Sequence, residues 1–135
     1  MLRSWKLIDT TLREGEQFAK AIFRLEDKLE IARALDTFGV DYIEVTSPAA
    51  SPQSQRDLAA IVKLGLHARI ITHSRCLLDD VRTALDTGVR GIGLFFATSR
   101  ILRESSHGKS IQQIIDSIGP PVEAALAAGL EVRFS

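Results

Sequence analysis

The chain has 135 residues, with 45% apolar and 25% charged side chains, enough for one domain with a hydrophobic core. Seventeen Lys plus Arg balance seventeen Asp plus Glu, so no global field draws it to nucleic acid or an anionic membrane, and any anion site has to be local. The single Cys76 excludes an internal disulfide, and no apolar run nears the roughly 20 residues of a membrane span; a cytoplasmic location is expected.

Residues 5–8, Trp-Lys-Leu-Ile, form a short apolar run expected to be a buried strand, with no room for a signal peptide before it. Residues 9–17 follow as DTTLREGEQ. Asp9, Arg13, Glu14 and Glu16 set one cation among three carboxylates, and Gly15 lets the backbone turn. A carboxylate beside an arginine at a strand end can bind a divalent metal and an anion together, although a turn with solvated charges has the same composition.

Leu25, Leu29, Ala32 and Leu35 recur at helical spacing until Gly39. Residues 40–45 read as a second strand and residues 46–55 as a Ser/Pro-rich loop. Leu58, Ile61 and Val62 mark a second helix ending at Gly65. Residues 69–73 form a third strand, and Leu78, Val81 and Leu85 lie on a third helix ending at Gly88. A fourth strand at 89–96 and a polar loop at 98–109 precede a fourth helix carrying Ile111, Ile114, Ile115 and Ile118. Pro120 and Pro121 are expected to break or kink that helix before it resumes at 122–128, and residues 131–135 start a fifth strand.

Strand, helix, glycine, strand, repeated four times, predicts a parallel α/β sheet. A doubly wound sheet and a (β/α)8 barrel both begin this way, but there is no G-x-G-x-x-G and no P-loop. Arg13/Glu14, Glu44, His73 and Arg133/Ser135 all fall near C-terminal strand ends, which converge on one mouth in a barrel. A barrel needs roughly 250 residues. The expected fold is therefore a partial TIM (β/α)8 barrel, with about four β/α units plus the start of strand five.

DTTLREGEQ, DYIEVTSP, THSRC and EVRFS, in this order, resemble the homocitrate synthases. These belong with metal-dependent barrels that condense or cleave acyl-CoA, isopropylmalate synthase and hydroxymethylglutaryl-CoA lyase among them. Glu14 after the motif's arginine, with His73 and Arg133, points to the lysine-biosynthesis branch. The resemblance implies that residues 1–135 are the N-terminal part of a pyruvate-carboxyltransferase-like catalytic barrel, and that acetyl-CoA condenses with 2-oxoglutarate. An isopropylmalate or citramalate synthase, or a non-catalytic half-barrel that pairs with a full-length synthase, are the alternatives.

It further implies that Glu14 binds a divalent metal, Mg²⁺ or Mn²⁺ with Zn²⁺ possible, and that Arg13 donates to the oxygen that becomes an alkoxide. Arg13, His73, Arg133 and Ser135 would hold the 2-oxo acid, with Asp9, Gln17 and Glu44 supporting them. Residues 106–109 (Ser-His-Gly-Lys) read equally as a substrate loop or a solvated turn, and Cys76 as inert packing. Two departures stand out. The family's H-x-H metal pair is absent, since His67 and His107 are not so spaced. The isolated chain is thus expected to be inactive and completed by a homodimer or a C-terminal half. Gly93 stands where lysine-inhibited relatives carry an acid, so lysine feedback is not expected.

Overall fold

The computed structural model describes residues 5–102, 105 and 108–135. Its strands are β1 (Ile8–Asp9), β2 (Tyr42–Val45), β3 (Arg69–Arg75), β4 (Gly91–Phe95) and β5 (Glu131–Phe134). Between them lie α1 (Leu25–Phe38), α2 (Pro52–Val62), α3 (Leu78–Asp86), the single turn α4 (Arg100–Leu102) and α5 (Ile111–Ala127). The strands pair in parallel in the order β1-β2-β3-β4-β5. A doubly wound sheet reverses its order at a switch point, whereas unbroken sequential order is the winding of a barrel. The sheet is a partial (β/α)8 barrel.

One face of the sheet meets the helices. Ile43, Val45, Ile70, Ile92 and Leu94 pack there with Ala32, Leu58, Ile61, Val81 and Ala84. On the opposite face the alternate residues are Tyr42, Glu44, His73 and Arg133, with Gly91 and Gly93 on the intervening strand β4. A Cβ at Gly91 would sit 2.7 Å from Ile71 Cγ2. The absence of side chains at 91 and 93 leaves the space across which β2 and β5 side chains meet.

Three local expectations change. Residues 5–8 do not form a buried strand: β1 has two residues, and Trp5 is 89% and Leu7 51% exposed. The run lies at the sheet edge, and Leu7 bonds Asp41 and Tyr42 instead of a second neighbouring strand. Residues 46–55 are not wholly loop. Ser51 accepts Ser54 N–H at 3.0 Å and Pro52 takes the first helical position, so α2 starts there. Pro120 and Pro121 do not break α5. Gly119 lacks the Cβ that would press on the following proline ring, and burial of Pro121 favours keeping the helix against the sheet.

Candidate active site

The loop after β1 is shaped by its own polar atoms. Asp9 accepts Thr11 N–H at 2.8 Å and Thr11 Oγ1–H at 3.2 Å, closing a side-chain turn. Arg13 and Glu14 then both donate backbone N–H to Thr10 C=O, at 3.0 and 2.7 Å, winding one turn of helix. Leu12 is fully buried, and its C=O accepts Thr46 N–H at 3.1 Å. With Leu12 fixed in the core, the side chain of Arg13 turns to the strand mouth.

There it meets Glu44, which is completely buried. Arg13 Nε donates to Glu44 Oε2 at 2.5 Å, and Arg133 Nη2 donates to Oε1 at 3.2 Å. Arg13 Nη2 also pairs with Glu14 at 2.7 Å, while the Glu14 side chain remains about half exposed. One buried carboxylate therefore holds two guanidiniums from distant parts of the chain. A buried acid needs such partners, because an uncompensated charge in the interior is strongly unfavourable.

His73, Gly93 and Arg133 stand on one register line across β3, β4 and β5. The His73 ring stacks on Phe95 with centroids 4.5 Å apart and planes 6° from parallel. Its Nδ1 is buried without a hydrogen-bond partner, 3.9 Å from Glu44 Oε1. Burial lowers the His73 pKa, the Arg13 guanidinium adds to that effect, and Glu44 opposes it. These surroundings therefore favour the neutral imidazole over the charged one. A cleft of about 450 Å³ opens beside these groups, lined among others by Arg13, Gln17, Thr46, His73, Arg75 and Phe95.

The structure thus brings Arg13, Glu14, Glu44, His73 and Arg133 together, with Gln17 on the cleft wall. Asp9 serves the loop turn and does not reach them. Ser135 lies beyond Arg133, its N–H donating to Leu94 C=O at 3.0 Å. Ser106 and His107 lie outside the described residues. Burial raises the Cys76 thiol pKa, consistent with inert packing. Among the described residues no group of three or more His, Cys, Asp or Glu is placed to hold a metal ion.

Arg75 and Phe95 also line the cleft, with no role expected from the sequence. Both were within reach of the strand period, two residues beyond His73 and Gly93 and paired in register. Arg75 reaches the cleft wall but spends Nε and Nη2 on Asp80, each at 2.9 Å.

Sequentially wound parallel strands with a charged cluster at their C-terminal ends define part of a (β/α)8 barrel with its candidate site at the mouth. The chain belongs to the HMGL-like family, whose model matches residues 4–135. It is 55% identical over 134 residues to the mitochondrial homocitrate synthase of Saccharomyces cerevisiae, covering 99% of this chain and 30% of that protein. The cytosolic isozyme of the same yeast is 54% identical, over 99% of this chain and 31% of that protein, so the likeness favours neither compartment. A 2-isopropylmalate synthase of Caldanaerobacter subterraneus is more distant, at 36% over 96% of this chain and 34% of that protein. The crystal structure of hydroxymethylglutaryl-CoA lyase from Pseudomonas aeruginosa superposes with a TM-score of 0.75 at 27% identity, covering 96% of this chain and 44% of that one. The chain spans about 30% of the length of the homocitrate synthases it matches at 55% and 54% identity. No helix among the described residues is long and apolar enough to cross a membrane.

Proposed function

We propose that this chain supplies the N-terminal part of a homocitrate synthase barrel, which condenses acetyl-CoA with 2-oxoglutarate. The observation that carries the reading is the buried Glu44, which holds Arg13 of the cleft wall and Arg133 of β5 on one carboxylate. Two planar guanidiniums suit a dicarboxylate substrate, since each can grip a carboxylate in two-point fashion. Arg133 and the neutral His73 bind and orient the 2-oxo acid, with Ser135 at the outer end of the same strand. Arg13 donates to the ketone oxygen as negative charge develops on it, and a preorganised cation there is a large catalytic contribution.

A divalent cation fits the donor chemistry of Glu14, a hard carboxylate oxygen with an open face. Magnesium or manganese matches such a ligand best, and zinc is compatible with it. When bound, the ion supplies Lewis acidity at the 2-oxo acid. The chain has three histidines and none in an H-x-H pair, so the further ligands would come from outside it. A C-terminal half or a second copy would provide them.

The test is to join residues 1–135 to the part of the yeast mitochondrial enzyme beyond the matched region and measure CoA release. Release should require 2-oxoglutarate and Mn²⁺, and Arg13→Ala or Glu14→Ala should each reduce it by about 10²- to 10³-fold with the fold retained. Preference for 2-oxoisovalerate would move the reading to an isopropylmalate synthase. A folded hybrid with no turnover, but with stable pairing to a full-length synthase, would favour an interaction role.

A further inference from the structure

Lys28 lies on α1 and is buried, an unusual position for an ammonium group. Its Nζ is bonded to Asp57 Oδ2 of α2 at 2.7 Å and to Glu16 Oε1 of the loop after β1. Both carboxylates use their second oxygens as well. Gln53 Nε2 donates to Asp57 Oδ1 at 2.5 Å, and Thr46 Oγ1 donates to Glu16 Oε2 at 2.8 Å. Burial opposes the Lys28 charge, but the hydrogen bonds to Asp57 and Glu16 outweigh it and raise the pKa above the ordinary lysine value.

A lysine that only fastened α1 to α2 would need Asp57 alone. The contact to Glu16 is different in kind, because Glu16 sits two residues beyond Glu14 and three beyond Arg13. Thr46 also holds Leu12, through its backbone N–H. The segment 12–16 is therefore gripped at both ends, and Arg13 and Glu14 lie between the grips.

We infer that Lys28 is a positioning residue that fixes the Arg13–Glu14 segment at the strand mouth by holding Glu16. The physical reason is the surplus of negative charge. Two carboxylates share one ammonium, so removing it leaves them repelling each other. Asp57 is buried and anchored on a long helix, whereas Glu16 is partly exposed on the single 3-10 turn Gly15–Gln17. Glu16 is the group that moves, and Arg13 moves with it, off Glu44.

The consequence for turnover rests on the proposed roles of Arg13 and Glu14; the tether itself does not. The test is NMR of the 135-residue chain, following the Arg13 Nε–H resonance and the amide exchange of residues 11–17. In Lys28→Met and Glu16→Ala, the Arg13 Nε–H should lose its hydrogen-bonded shift. Loop amides should exchange about tenfold faster, while Ile43, Ile92 and Leu94 keep their protection. If Lys28→Met fails to fold, Glu16→Ala decides. Unchanged Arg13 and loop signals in Glu16→Ala, or faster exchange spread equally over the sheet, would overturn the inference. No readout involves turnover, so failure of the condensing-enzyme reading would show only in the CoA-release assay.

Discussion

The two ends of the sheet's inner face use the same chemistry at different depths. At the N-terminal end, Tyr42 donates to Glu131 at 2.9 Å and accepts from Lys6 at 3.0 Å, while Arg69 pairs with Glu131. The Arg69 and Glu131 side chains are 47% and 46% exposed. At the C-terminal end, Glu44 is fully buried and bonded to Arg13 and Arg133. Water stands in readily for a lost partner at the first end and cannot at the second. An arginine–glutamate pair therefore trims stability at the floor and fixes geometry at the mouth.

Breaking the mouth should have the largest effect. Glu44→Ala is expected to destabilise the chain by about 3 kcal/mol, because a buried charge network loses its centre. Urea unfolding measures this, and a loss no larger than that of a surface variant would remove the contrast. A smaller effect comes from pH. The folded-state pKa of His73 is depressed, first by burial and then by Arg13, with Arg133 adding to it and Glu44 and Glu14 opposing. The folded protein thus binds fewer protons than the unfolded chain. The contribution of His73 is present above the unfolded value of about 6.5 and is lost as pH falls below it. Urea midpoints between pH 7 and 5 should fall more steeply for the wild type than for His73→Gln, with His67→Gln as control for the exposed His67–Asp36 pair. Equal slopes would show that His73 titrates as it would in water.

The smallest change belongs to the floor. Glu131→Gln removes a pair exposed on both sides and should cost about 0.5 kcal/mol, declining with added salt. A loss rivalling that of Glu44→Ala would mean that depth does not separate the two ends.

The sequence by itself determined the run of strands and helices, since burial against one sheet face imposes the helical period and glycine allows each helix to stop. Gly39, for instance, closes α1 with φ 92°. It also marked Arg13, Glu14, His73 and Arg133, because a motif at a strand end is local information. The tertiary structure decided who pairs with whom. Glu44 finds Arg13 across 31 residues and Arg133 across 89, and Lys28 finds Asp57 across 29. Such contacts follow from strand order, register and the empty inner face at Gly91 and Gly93. Asp9 and Arg75 make the converse point, since their partners Thr11 and Asp80 lie only two and five residues along the chain. The proline pair returns to the tertiary side: burial of Pro121 in the packed face of α5 favours a continuous helix where local propensity alone predicts a break.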